Sequence, residues 1–165
     1  MDTEFQSLFQ VRLANYDDIP AIMSITREAF VKYQQMTGVE HLMALEESYN
    51  DVKKDIDTKV VLLALSDGEP VGAVRIEVFP DKTAYLSRFA VKVTSQNNGI
   101  GKSIMNLADR IMMKKGVTEI HLHTDSRATP LIRFYYGRGF HIDSTDKSRG
   151  YTRALLIKEY AKKDC

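Results

Sequence analysis

The chain has 165 residues, 44% of them apolar and 27% charged, with a net charge of +1. That composition excludes a mainly disordered chain, and the balanced charge argues against a general nucleic-acid binder. The longest aliphatic run, Val60–Leu65, falls far short of the ~20 residues a membrane helix needs. The opening residues Met1-Asp2-Thr3-Glu4 lack the basic stretch of a secretory signal. The one cysteine, Cys165, leaves no intrachain disulfide and no Cys-rich zinc site, so no metal is expected. One domain over residues 1–165, in the reducing cytoplasm, is the expectation.

Charge is unevenly spread. Residues 1–83 carry 8 Lys/Arg against 15 Asp/Glu, a net of −7, and residues 84–165 carry 15 against 7, a net of +8. Such a split suits either an anionic ligand on one side and a cationic one on the other, or two ordinary solvated surfaces.

Residues 8–13 read as a short strand. Asp17-Asp18-Ile19-Pro20 then supplies helix-start chemistry, with acids beside the positive helix end and Pro in the first turn. An apolar stripe of Ile19, Ile22, Met23, Ala29 and Phe30 carries that helix to about residue 32, and Gly38 breaks it. Leu42, Leu45 and Val52 suggest one or two more helical pieces up to about residue 57. Three strands follow as a meander: Lys59–Leu65, Val71–Phe79 and Ala84–Val93, joined by turns at Ser66–Pro70 and Pro80–Lys82. Ile100, Ile104, Leu107, Ala108 and Ile111 mark one face of an amphipathic helix that Gly116 stops. Thr118–Thr124 is a strand, Thr129–Gly137 a short helix, and Phe140–Ser144 with Tyr151–Ile157 a closing hairpin. The order βαα-βββ-α-β-α-ββ predicts a three-layer α/β/α arrangement around a mixed, mostly antiparallel sheet. Its one right-handed parallel crossover should span 84–124.

The informative segment is Gln96-Asn97-Asn98-Gly99-Ile100-Gly101, between a strand and the amphipathic helix. Glycines allow a sharp turn and close approach to a ligand, and the helix start points unpaired N–H groups at whatever sits there. That is a phosphate-binding arrangement in physical terms. No acid lies between Val91 and Ala108, and Lys92 and Lys102 flank the turn. A P-loop would need glycine where Gln96 stands, and a dinucleotide fingerprint would need glycine where Ile104 stands. The pattern [QR]-x-x-G-x-[GA] is met at Gln96, Gly99 and Gly101.

In that pattern the turn resembles motif A of the GCN5-related N-acetyltransferase (GNAT) superfamily. Leu86–Val91 resembles the L-x-x-[LFI]-A-V strand before it, and Phe134–Phe140 the F-Y-x-x-x-G-F signature after it. The close match covers about residues 59–158, and residues 1–58 match in element type only. The resemblance implies the acyl-CoA N-acyltransferase fold. It implies an enzyme that moves an acetyl group from acetyl-CoA to a primary amine of a small molecule or protein, by direct attack.

The resemblance also assigns roles. Main-chain N–H groups of Gln96, Asn97, Asn98, Gly99, Ile100, Gly101, Lys102 and Ser103 would hold the CoA pyrophosphate. Phe89, Ala90 and Val91, on a bulged strand splayed from its neighbour, would hold pantetheine, and one of their N–H groups the acetyl carbonyl. Tyr135 would protonate the departing thiolate. Many relatives carry a glutamate base where this chain has Tyr85, so the base stays open between a strand-held water, Glu77 and His123. His121 and His123 otherwise read as solvent-facing strand residues. Cys165 has no placed base and no nucleophilic role is expected of it.

Six acids between residues 37 and 57 (Glu40, Glu46, Glu47, Asp51, Asp55, Asp57) suit either a cationic acceptor such as a polyamine or a solvated helix face. Tyr33, Met36, Tyr49 and Tyr151 suit either a pocket wall or packing. Members of the family often dimerise, and no stretch here identifies an interface. Two other readings stand beside the enzyme: a CoA-binding regulatory domain without catalysis, and a nucleotide binder using the same turn.

Overall fold

The computed structural model describes residues 9–96 and 98–161. Asn97 and Cys165, both singled out in the sequence, lie outside them. The described residues form one seven-stranded sheet: β1 (Phe9–Leu13), β2 (Val60–Ser66), β3 (Glu69–Val78), β4 (Thr83–Val91), β5 (Glu119–Asp125), β6 (His141–Asp146) and β7 (Arg153–Glu159). Their spatial order is β1-β2-β3-β4-β5-β7-β6. Only β4 and β5 pair in parallel, across the expected helical crossover, and every other neighbouring pair is antiparallel.

Helices α1 (Ile19–Thr37) and α2 (Tyr49–Thr58) cover one face, and α3 (Ile100–Lys114) and α4 (Thr129–Gly137) the other. Strand alternation divides the core accordingly. Leu62, Val74, Ile76, Leu86, Ile120 and Leu156 pack under α3 with Ile100, Ile104, Ala108 and Met112. Val61, Leu63, Ala73 and Ala90 pack under α1 with Ile19, Ile22 and Ile25.

Helix α1 runs to Thr37, five residues past the end of its apolar stripe at about residue 32. The extra turn is held by polar contacts that periodicity does not register. The Tyr33 hydroxyl accepts the backbone N–H of Asp125 at 2.7 Å, and Thr37 Oγ1 donates to the Tyr33 carbonyl at 2.8 Å. Gly38 then ends the helix at φ 74°, a left-handed cap that glycine adopts without strain. At the other end of α1, Asp18 binds Arg12 through both carboxylate oxygens at 2.7 and 3.0 Å, tying the helix start to β1.

A candidate acetyl-transfer cleft

Strands β4 and β5 begin side by side and then part. Their parallel ladder pairs Thr83, Ala84 and Tyr85 with Glu119, Ile120 and His121, and it stops there. Both strands continue, β4 to Val91 and β5 to Asp125, so a wedge opens between them. A bulge helps to open it. Between the pairs Arg75↔Ser87 and Ala73↔Ala90, β4 holds one residue more than β3. Arg88, inside that bulge, sits at φ 54°, a left-handed conformation rare for a side chain of this size. The bulge also reverses the alternation, turning Phe89 toward α3 and Ala90 toward α1.

Main-chain polarity at the end of β4 follows from its bonds. Lys92 N–H donates to Val71 at 2.7 Å, toward β3. By strand alternation the N–H and carbonyl of Val91 face the wedge. The Val91 carbonyl accepts Gln96 Nε2 at 3.3 Å, and Gln96 Oε1 accepts Lys32 Nζ at 2.9 Å. The Gln96 side chain is thus a brace between β4 and α1 that sets up the turn.

Gly99 precedes α3 at φ 82° with open space where a Cβ would stand. Ser103 N–H closes the first bond of the helix to the Gly99 carbonyl. Among the described residues, the N–H groups of Asn98 to Lys102 have no acceptor in the protein. They form the row of free donors that an anion at a helix start requires. Gly101 has a packing role as well. A Cβ there would stand 3.0 Å from Phe89 Cζ and 3.2 Å from Phe134 Cζ, so α3 approaches this stacked aromatic pair as closely as a glycine permits.

Tyr135 lies on α4 with 5% of its surface exposed, edge-on to Phe89, Phe134 and Phe140. Its neighbour Tyr136 is half exposed on another side of the helix. Burial drives the Tyr135 phenol far above its ordinary value, so the ring stays protonated throughout the working pH range.

The histidines separate. His123 is no solvent-facing strand residue: Tyr85 Oη and His123 Nδ1 form a 2.7 Å hydrogen bond across the mouth of the wedge. Burial, and then the positive charges of Arg153 and Arg149, hold the His123 pKa below its usual 6.5. It is therefore a neutral imidazole at pH 7. His121 sits instead against Glu119 at 3.6 Å. Glu77 does not line the cleft, although it stands opposite Tyr85 across the β3–β4 ladder.

Together these parts line a cleft of about 1490 Å³ reaching from the glycine turn, past Phe89 and Tyr135, to Tyr85, His123 and Tyr151. Tyr33 and Met36 line it, and Tyr49 does not. The acids of residues 37–57 are mostly committed elsewhere. Arg75, 1% exposed on β3, holds Glu47 through both guanidinium nitrogens and Asp55 at 2.9 Å. Asp51 caps α2 with Ser48, and Asp57 accepts the Tyr16 hydroxyl. Only Glu40 of the six lines the cleft.

The model of the acetyltransferase (GNAT) family matches residues 19–140. The chain belongs to that family. A spermidine N(1)-acetyltransferase from Thermoplasma acidophilum is 25% identical over 149 residues, covering 84% of this chain and 92% of that protein. Among solved structures, the PaiA N-acetyltransferase from Thermoplasma acidophilum, in complex with coenzyme A, aligns with a TM-score of 0.81 at 22% identity. That alignment covers 92% of this chain and 99% of the other. The ribosomal-protein-S18-alanine N-acetyltransferase from Escherichia coli aligns with a TM-score of 0.76 at 15% identity, covering 94% and 96%. The described residues contain no helix long and apolar enough to cross a membrane.

Proposed function

We propose that this chain is a single acetyltransferase domain that moves the acetyl group of acetyl-CoA to a primary amine in a ternary complex. The observation that carries the reading is the wedge between β4 and β5, bounded by free N–H groups at one end and by Tyr85 and His123 at the other. The family match and the coenzyme A held by the PaiA neighbour support acetyl-CoA as the donor. The donor supplies an activated thioester, and the chain supplies position, polarity and proton paths.

The N–H groups of residues 98–102 hold the pyrophosphate, and Gln96 and Ser103 fix the turn around it. The main chain of Phe89 to Val91 lies along pantetheine as a neighbouring strand would. The Val91 N–H and carbonyl offer it ladder bonds, and one N–H of Phe89 to Val91 donates to the thioester carbonyl, where negative charge develops. As the amine attacks, a C–N bond forms, the C–S bond breaks, and one proton must leave nitrogen while sulfur gains one. An alkyl ammonium with pKa near 10.4 must first lose a further proton to become that nucleophile, and this proton needs a path to solvent. His123 accepts it, directly at Nε2 when Nδ1–H donates to Tyr85, or through the Tyr85 oxygen in the opposite tautomer. Tyr135 serves the sulfur. With its pKa raised well above the thiol's ordinary ~8.5, the phenol steadies the thiolate mainly as a hydrogen-bond donor, and solvent restores the thiol on release.

Thermal unfolding with saturating acetyl-CoA tests the donor site, with NAD and ATP as controls. Binding to the native state stabilises by about 2.7 kcal/mol at a hundredfold excess over Kd. A rise with acetyl-CoA alone is expected, and a rise with NAD or ATP instead would select the nucleotide-binding reading. A chain that binds acetyl-CoA but transfers to no amine would be the regulatory domain.

A further inference from the structure

Resting on that reading of the cleft, we infer that the amine acceptor carries an anionic group, a carboxylate or a phosphate, received by Arg88, Arg149 and Arg153. These arginines come from the β4 bulge, the turn between β6 and β7, and the first residue of β7, and all three line the cleft. Among the described residues that line the cleft, Glu40 is the one acid. A cationic acceptor entering here would meet three guanidinium groups, with the acids of residues 47–57 already bound to Arg75, Ser48 and Tyr16.

The three guanidiniums gather at the acceptor end. Burial raises the Tyr85 phenol, and Arg153, Arg149 and Arg88 each pull against that rise. They also have unused bonding capacity. Arg153 Nε stands 3.6 Å from Asp146 and Arg88 Nε 3.4 Å from Glu47, yet both nitrogens are buried without a hydrogen bond. Glu47 is already held from both oxygens by Arg75. Arg149 has no ion pair or hydrogen bond among the described residues. Buried guanidinium N–H groups are costly to leave unpaired, and a carboxylate or phosphate satisfies them in pairs. The left-handed backbone at Arg88 is a strained conformation that aims one of the three into place.

This group is separate from the donor's phosphate site. Ala154 and Leu156 face α3, so Arg153 projects to the opposite face of the sheet, where Arg88 meets Glu47 of the α1–α2 segment. The glycine turn opens α3 on the other face. Six residue steps along β4 lead from Tyr85 to Val91, roughly 20 Å of strand.

The test uses the full chain saturated with CoA, so that the glycine turn is filled. Inorganic phosphate and acetate are titrated into the wild type and into an R88M/R153M double variant, by calorimetry and thermal unfolding. The expected result is saturable binding to the wild type, weakened at least tenfold in the double variant, with CoA affinity unchanged. Phosphate stronger than acetate would assign a phosphorylated amine, and the reverse an amino acid. A wild type that binds neither anion, or a double variant that binds them equally well, overturns the inference. In turnover, O-phosphoethanolamine is set against ethanolamine, and L-leucine against L-leucinamide. The amide holds more free amine at neutral pH, so a preference for the acid reports recognition rather than reactivity. Faster use of ethanolamine, leucinamide or spermidine than of the anionic members also overturns it. Failure of CoA itself to stabilise the wild type would remove the acetyl-transfer reading, and the difference in phosphate binding between the wild type and the double variant without CoA would still decide the anion site.

Discussion

The two ends of the wedge are built on different principles. At the end proposed for the donor, the groups on offer are main-chain N–H groups, ordered by Gly99, the bulge and the start of α3, and side chains mostly brace. At the end proposed for the acceptor, the groups on offer are side chains from four distant segments: Tyr33 on α1, Tyr85 and Arg88 on β4, His123 on β5, and Arg149 and Arg153 around β7. Backbone chemistry depends on a few glycines at fixed spacing. Side-chain chemistry depends on which residues a sheet happens to bring together. Beside the acceptor end lies a buried charge cluster, Arg75 with Glu47 and Asp55, that has no counterpart at the donor end among the described residues.

The largest effect should fall on that cluster. Replacing Arg75 by Met takes the central partner from two largely buried carboxylates, leaving Glu47 with Arg88 at 3.4 Å and Asp55 with Lys59 at 3.3 Å, and breaking such a buried pair costs about 3–5 kcal/mol. Urea unfolding should show that loss, and Glu47→Gln in the same chain should return part of it. A loss below about 1 kcal/mol, the value of an exposed pair, would mean that the acceptor end does not stand on Arg75. Next comes Tyr135→Phe, expected to lower turnover about 10²-fold, at the weak end of acid–base effects for a group that donates without ionising. Its Kd for acetyl-CoA should hold. A parallel fall in affinity would make Tyr135 a packing residue of the donor end instead.

The contrast between the ends also explains what the sequence revealed. Gln96, Gly99 and Gly101 at their spacing pointed to the turn, and Ile100 to Ile111 to the helix behind it, because both signals are local. The closing hairpin and the parallel crossover were equally legible from periodicity and order. Tyr85 and His123 are 38 positions apart, and nothing local marks them as partners. Arg88, Arg149 and Arg153 went unnoticed individually, although the +8 of residues 84–165 was their collective trace. The acids of residues 37–57 left a cationic acceptor and a solvated face both open, and the structure commits most of them to Arg75, Ser48 and Tyr16. Their partner Arg75 sits in the middle of an apolar strand, 28 positions from Glu47 and 20 from Asp55, and nothing local marks it as their buried partner.

Gly99→Ala addresses the donor end alone. A Cβ has room there, but φ 82° is left-handed, and forcing an L-residue into it costs roughly 1–2 kcal/mol. The strain should appear as weaker acetyl-CoA binding, a lower melting temperature, or both. Unchanged values would mean that the turn relaxes without glycine.

The smallest effect is the one that separates the ends most finely. His123 must be neutral to accept a proton, and burial with Arg153 and Arg149 keeps its pKa below 6.5. The acid limb of kcat/KM should therefore lie below pH 6.5, with activity full above it and falling as pH drops through the lowered value. Arg153→Met removes one of the charges that depress it, so the limb should move to higher pH. His123→Gln should abolish this limb and lower kcat/KM about tenfold, or about 1.4 kcal/mol, since water can take the proton less well. Acetyl-CoA affinity should be the same in all three proteins across that range. A limb that survives His123→Gln in place would assign the proton to another group, and Tyr85→Phe would then show whether the phenol belongs to the path or only orients the ring.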